Sequence, residues 1–245
     1  MNASTGQGDG SSDLITAVVN LVGTGPVPLG AYTPAEIAAV GGMVDWLEQE
    51  PGPEPMAEAV RSLAARDLIT TEPGATAIEV RGDLGIALAF QQRARILVDA
   101  RVTGTEPDTP WRFILMPQPE QITLEVQIDA LGIHFYSLRK TREALRRLCE
   151  RLPHGGRGPK DADLDAALAA SPQTALVTVS HWPEDEPVDS TDLILAGGQQ
   201  TLHAFLRDPG DPSRFTAQGL DEDEVRTTIE RLIAPRADPA QPSAG

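Results

Sequence analysis

The residue types that most often do chemistry are few and widely spaced in this chain of 245 residues. The four histidines stand at 134, 154, 181 and 203, with no H-x-H or H-x-x-x-H spacing. The single cysteine, Cys149, follows Leu145 and Leu148 at helical spacing, which predicts a small apolar core residue rather than a nucleophile. We therefore expect no disulfide framework, no metal site and no cofactor.

Motifs for phosphate binding and for covalent catalysis are also lacking. The segment Gly155–Lys160 is rich in glycine, but Pro159 has no backbone N–H and no Ser or Thr follows Lys160, so it is not a P-loop. No G-x-S-x-G nucleophile motif occurs in the sequence. These absences predict a binding protein rather than an enzyme.

The charge of the chain is strongly acidic and unevenly distributed. The formal net charge is −16, which disfavours general binding to nucleic acid or to anionic lipid. Residues 139–160 nevertheless carry eight Lys or Arg against two Glu, whereas residues 161–245 carry sixteen acids against five Arg. The basic helix in this segment either docks near the acidic second half or is simply solvated. The alternatives are a docking patch for an acidic partner and, less favoured because the acidic body would repel it, a site for nucleic acid.

Targeting signals are not recognisable in the sequence. The first twelve residues have neither a basic stretch nor an apolar stretch, which predicts no signal peptide. No apolar run approaches the ~18 residues that a membrane span needs. We expect a cytoplasmic protein with no membrane partner, disordered over residues 1–11 and 234–245.

Residues 12–81 are predicted to form an N-terminal helical part. Thr33-Pro34-Ala35-Glu36 has the residues of a capping box with proline at the first helical position. The helix, turn and strand over residues 33–81 resemble half of a winged-helix unit. Its basic residues Arg61 and Arg66 stand among the acids Glu54, Glu58 and Asp67, so a DNA-binding regulator is the alternative function rather than the preferred one.

The remainder of the chain reads as an internal repeat. Residues 83–152 and 163–232 align without a gap at an offset of 80, with 14 identities over 70 positions, and both units close on Glu-Arg-Leu. Each unit is predicted to be α-β-β-β-β-α with short antiparallel links, which indicates an α+β protein. We expect the two units to be related by a pseudo-two-fold axis, to share one antiparallel sheet flanked by helices, and to be joined by a flexible or solvated linker at 153–160.

The third strand of the first unit alternates cleanly between apolar and polar residues. Its apolar members, Ile122 to Ile128 at even positions, predict a buried face, and Thr123, Glu125 and Gln127 predict a face in water. The residues proposed to bind a partner are Trp182, beside an acidic turn, and Phe205 and Leu206, in the corresponding strand of the second unit.

Several stretches together resemble the EspG family, the cytosolic chaperones of mycobacterial type VII (ESX) secretion. The resemblance spans roughly residues 30–233. It rests on Thr33-Pro34-Ala35-Glu36, on Leu63-Ala64-Ala65-Arg66-Asp67-Leu68-Ile69, on Ile96-Leu97-Val98-Asp99-Ala100-Arg101, and on the closing Ile229-Glu230-Arg231-Leu232-Ile233. Asp67 stands where the family favours glycine.

The resemblance implies a central antiparallel sheet with two helical bundles in a quasi-two-fold arrangement. It also implies a function, which is to bind the tip of a helical secretion substrate and keep it soluble for export. The expected partner is a helical protein of the PE–PPE or WXG type, and the expected oligomeric state is a monomer or a weak dimer.

Overall fold

One large sheet organises the part of the chain that this computed structural model describes, namely residues 9–41, 51–70, 78–104, 109–182, 188–198 and 200–234. The helices are α1 (Asp9–Thr24), α2 (Pro34–Ala39), α3 (Pro53–Ala65), α4 (Gly82–Arg93), α5 (Thr141–Cys149), α6 (Leu164–Ala170) and α7 (Glu222–Leu232). The strands are β1 (Val27–Tyr32), β2 (Ile69–Thr70), β3 (Glu79–Val80), β4 (Ile96–Thr103), β5 (Arg112–Pro117), β6 (Ile122–Ile128), β7 (His134–Lys140), β8 (Gly156–Arg157), β9 (Gln173–His181), β10 (Asp189–Gly197), β11 (Thr201–Asp208) and β12 (Asp211–Ala217).

The sheet consists of two antiparallel meanders that meet in its centre. Its strand order is β1-β7-β6-β5-β4-β9-β10-β11-β12, and β8 adds a short parallel pairing to β11. The two meanders are joined by β4 and β9, which pair antiparallel with Val98 opposite Val179. Strands β2 and β3 form a separate hairpin.

Helices cover both faces of the sheet. On the front face, α1, α2, α3 and α4 pack over the first meander, and α6 packs over the far strands of the second. On the back face, α5 and α7 pack side by side over the middle of the sheet. Both faces are therefore buried where helices lie on them, and successive side chains of a strand face opposite sides of the sheet.

The α+β class and the large antiparallel sheet are confirmed. The eight strands and four helices that the repeat predicts all form, with boundaries that differ by a few residues. Strand β1 was not predicted, because its sequence, VPLGAY, contains a proline and a glycine. Helix α1 begins at Asp9, so residues 9–11, which were expected to be disordered, are helical. The rest of the disorder predicted over 1–11 and 234–245 falls on residues 1–8 and 235–245, which lie outside the described residues, and on Ala234, which follows the C-cap residue of α7.

The uniform offset of 80 residues between the two units does not hold in the structure. Val98 faces α5 and α7 on the back face, whereas its counterpart Thr178 alternates with back-face residues and so lies on the front. Glu125 likewise lies on the back face and Phe205 on the front. A shift of one residue moves every side chain of a strand to the other face, so any duplication must include single-residue register shifts.

The polar side of β6 is not in water, which corrects the sequence-based expectation. Thr123 and Glu125 are 0% and 1% exposed because α5 lies across them. The alternation shows correctly which residues face the front cluster. It carries no information on whether a helix from later in the chain covers the other side.

The segment 153–160 is packed against the second meander rather than extended as a flexible linker. It contributes β8, which pairs with Thr201 and Leu202 at the start of β11. A Cβ atom at Gly158 would lie 2.5 Å from the Leu202 carbonyl oxygen, so only glycine fits this approach.

The capping box at the start of α2 is confirmed. The Thr33 side chain accepts from the Glu36 backbone N–H, and the Glu36 carboxylate accepts from the Thr33 backbone N–H at 2.9 Å. The other carboxylate oxygen of Glu36 accepts from Ser62 at 2.7 Å and from Arg66 at 3.0 Å. Glu36 therefore joins α2 to α3, and the N-terminal helices are fixed to each other through one carboxylate.

Candidate partner-binding surface

The three predicted partner-binding residues do not form one surface. Phe205 is 1% exposed and lies beneath α6, so it is a core residue and the prediction for it is wrong. Leu206, next to it on β11, points to the opposite face and packs half-buried against the back-face cluster. Trp182 is half-buried against the front-face cluster, with its backbone N–H donated to the Arg95 carbonyl.

A groove between α5 and α7 on the back of the molecule is the better candidate. Its volume is about 760 Å³. Four cationic side chains line it against two anionic ones, which leaves a net local charge of +2. The lining residues are Lys140, Arg142, Glu143, Arg146, Arg226, Thr227 and Glu230.

Helix α5 is held in place by both apolar and ionic contacts. Its inner face buries Ala144, Leu145 and Leu148 against the sheet. Beneath the helix, the Glu125 carboxylate of β6 pairs with Arg139 of β7, with Nε and Oε2 3.0 Å apart, and Arg139 in turn pairs with Glu143 of α5 at 3.1 Å. Since one partner of a buried ion pair cannot be removed without leaving an uncompensated charge, this chain of ion pairs ties α5 to β6 and β7.

Helix α7 is anchored at both ends. At its N-terminus, Asp221 forms a capping box with Glu224 and also pairs with Arg157, 3.2 Å away, from the segment that carries β8. At its C-terminus, His181 Nε2 donates to the Leu232 carbonyl at 2.7 Å. The hydrogen bond with the Glu224 backbone, followed by the contact with Arg157, holds the pKa of Asp221 below its usual 3.8.

The cations of the groove differ in the contacts that they make within the protein. Lys140 donates to the Gly23 carbonyl near the C-terminal end of α1, and it pairs with no carboxylate of the described residues. Arg146 pairs with Glu150, and Arg226 with Asp223, in pairs that are largely open to solvent. Such exposed pairs contribute little and exchange readily with other partners.

Arg142 is the groove cation with the least competition from neighbouring groups. It is exposed in the first turn of α5. Among the described residues no carboxylate lies within ion-pair distance of it. Of the two acids that line the groove, Glu143 accepts from Arg139 instead, at 3.1 Å. The groove therefore presents positive charge that the described part of the chain does not fully neutralise.

The sequence also singles out the cysteine and the potential metal ligands. Burial raises the pKa of the Cys149 thiol to about 11, as expected for a thiol packed between α5 and α7. In the described ranges, no three of His, Cys, Asp and Glu come close enough together to hold a metal ion. None of the helices described is long and apolar enough to cross a bilayer.

Three arginines of the N-terminal part form ion pairs with nearby carboxylates. Arg61 pairs with Glu58 and Arg81 with Glu79. Arg66 pairs with Glu36 and also lies over the Tyr32 ring, 5.2 Å from its centroid. DNA binding by α3 and the β2–β3 hairpin remains the alternative hypothesis, and it requires these arginines to exchange carboxylates for phosphates.

An exposed apolar feature lies at the turn between β6 and β7. Leu131 is 84% exposed at the tip of this turn, and Phe135 is partly exposed at the start of β7. The sequence signal was a leucine between Asp129 and Gly132, two turn-forming residues, where no core is expected.

The fold and the groove together define an α+β protein with a continuous antiparallel sheet and a cationic helix-lined surface. Comparison of the sequence with known protein families and with curated proteins gives no match.

Proposed function

We propose that the protein is an EspG-like cytosolic binding protein that holds a helical secretion substrate soluble before export. The substrate class implied by the resemblance is a helical protein of the PE–PPE or WXG type. Binding would use the back of the sheet and the helices α5 and α7, which leave an open groove of about 760 Å³ between them.

One observation carries this proposal. The two meanders run outward from the β4–β9 pair, so that the chain builds a single wide sheet with a pair of helices from the two units on one face. The resemblance implies a central antiparallel sheet flanked by helices, and this architecture supports it. A surface formed jointly by two parts of a chain, with an accessible groove, suits the binding of another protein's helices.

The backbone at Asp67 supports the resemblance in a second way. Asp67 has φ of 55° and follows α3, where the Leu68 N–H bonds to the Leu63 carbonyl at 3.0 Å. This left-handed position at a helix end is the one that glycine prefers. The family's glycine would therefore fit the local conformation better than the aspartate of this chain.

A duplicated origin for the two units is part of the same proposal. Helices α4 and α6 lie on the front face and α5 and α7 on the back, as a pseudo-two-fold axis normal to the sheet requires. Arg146 and Arg226, identical residues at the offset of 80, both line the groove. The register differences between the units are accounted for by single-residue insertions and deletions after duplication.

Co-expression tests the proposed function. The chain is produced with each cognate helical PE–PPE pair, and the mass of the eluted complex is measured by light scattering after size exclusion. We expect a complex of defined stoichiometry and more soluble substrate than without the chain. Free monomer alongside aggregated substrate, with every cognate pair, would contradict the proposal.

A further inference from the structure

Positive charge is concentrated in one place on the back of a protein whose total charge is −16. The groove between α5 and α7 collects Lys140, Arg142, Arg146 and Arg226 against Glu143 and Glu230. At 0.1 M salt, screening by ions limits electrostatic interactions to ~10 Å. A ligand in the groove therefore responds to the charged side chains of α5 and α7 more than to the acids elsewhere in the chain.

We propose that this groove binds a short, carboxylate-rich segment of the partner protein. The proposal rests on the proposed function, because it states which part of the partner enters the groove. Arg142 is the primary contact, since no carboxylate of the described residues lies within ion-pair distance of it, and Arg146 and Arg226 add to it by exchanging their exposed intramolecular partners.

Charge complementarity decides between an acidic peptide and nucleic acid. A duplex gains affinity by neutralising many phosphates along its length, typically 6–10 in a specific complex. The groove has four cations and is flanked on α7 by Asp223 and on α5 by Glu150. A longer polyanion would meet these acids, whereas a short acidic segment contacts only the cations.

Geometry also favours a segment with a few separated charges. Arg142 and Arg146 lie four residues apart on α5, and Arg226 and Glu230 are spaced in the same way on α7. Residues four apart lie on the same side of a helix. A partner helix with acids one turn apart can pair with successive arginines, and guanidinium groups bind carboxylates through paired hydrogen bonds.

The experiment measures binding of a fluorescent glutamate-rich helical peptide to the full chain by anisotropy. The reference peptide is the same sequence with glutamine in place of glutamate. We expect the glutamate peptide to bind, to weaken as salt is raised from about 50 mM to about 200 mM, and the glutamine peptide to bind at least about tenfold more weakly.

Two variants with the same change of net charge distinguish a local effect at the groove from an effect of the protein's overall charge. Arg142→Glu should weaken binding of the glutamate peptide by at least about tenfold. It leaves α5 intact, because an acid in the first turn of a helix is favourable. Arg214→Glu, on the exposed strand β12, should change binding by less than about twofold.

Equal effects of the two variants, equal binding of the two peptides, or tighter Arg142-dependent binding of a DNA duplex would each overturn the inference. The same variants in the co-expression assay separate the two proposals. A substrate complex that forms equally well with Arg142→Glu would refute the acidic-segment inference and leave the chaperone function standing. Peptide binding without any substrate complex would refute the chaperone function and leave the binding of acidic segments by the groove standing.

Discussion

The Arg157 guanidinium lies 3.2 Å from the Asp221 carboxylate, which ties the segment between the two meanders to the N-cap of α7. The same guanidinium contacts Glu224, the other member of the capping box. Helix α7 forms one wall of the proposed binding groove. This exposed contact joins parts of the chain that are 64 residues apart and adds to the apolar packing that holds α7 on the sheet.

Removing this cap should loosen α7. Asp221→Ala deletes both the capping hydrogen bond and the pair with Arg157, and we expect the thermal midpoint to fall by about 3 °C. Asp223→Ala is the matched control, since Asp223 is 81% exposed and its carboxylate is not the N-cap. A control that destabilises the protein as much as Asp221→Ala would refute the role assigned to the cap.

Gly158 should not tolerate a side chain. A Cβ atom there would clash with the Leu202 carbonyl oxygen, so Gly158→Ala should lower the free energy of unfolding by about 2 kcal/mol or more. Gly23→Ala is the control, because nothing lies within 4 Å of its Cβ position inside α1. There alanine should stabilise the protein by up to about 1 kcal/mol. Urea unfolding of both variants measures the difference, and equal stabilities would show that the segment 153–160 is not packed as described.

Replacing Asp67 with glycine should stabilise the protein. Its φ of 55° is costly for a residue with a Cβ atom, so Asp67→Gly should raise the free energy of unfolding by about 1 kcal/mol. Asp67→Ala keeps the Cβ atom and serves as the control, which should not stabilise the protein. A destabilised glycine variant would mean that the Asp67 side chain contributes more than its backbone strain costs.

Glu36 should make the stability of the N-terminal helices depend on pH. Burial alone would raise its pKa, but hydrogen bonds from the Thr33 backbone and from Ser62, together with the positive charge of Arg66, outweigh burial and hold the pKa below 4.5. A carboxylate whose pKa is lower in the folded state stabilises the protein above its unfolded pKa. That stabilisation is lost as pH falls through the folded value.

The free energy of unfolding of Glu36→Gln, followed from about pH 6 to about pH 3, tests this linkage. The wild type should be the more stable at the upper end, and its advantage should shrink toward the acidic end. Glu58→Gln, which removes an exposed carboxylate that pairs with Arg61, is the comparison and should show little pH-dependent difference. A constant gap between wild type and Glu36→Gln would contradict the assignment.

Sequence patterns predicted the order of elements well, because each strand and helix is coded by its own periodicity and turn residues. Pattern could not show that α5 covers Glu125, since that contact depends on where a later helix packs. Pattern also could not show whether Phe205 is buried in the core or exposed for partner binding, because an aromatic residue suits both roles. The gapless alignment of the units missed register shifts that become visible only when the side chains are assigned to faces.

The groove could be predicted only in part. The excess of basic residues over 139–160 was visible in the sequence, and four of the seven lining residues come from it. The opposite wall comes from α7, about 80 residues later, and neither helix alone indicates which of its sides meets the other. The pairing of α5 with α7 is a consequence of the sheet order, which local pattern does not specify.

Hydrogen exchange on the chain, free and in complex with its helical substrate, tests the central claim most directly. The account predicts that backbone amides of α5 and α7 become protected on complex formation, with little change in α3 and the β2–β3 hairpin. Protection confined to that N-terminal part, with α5 and α7 exchanging as in the free chain, would contradict it.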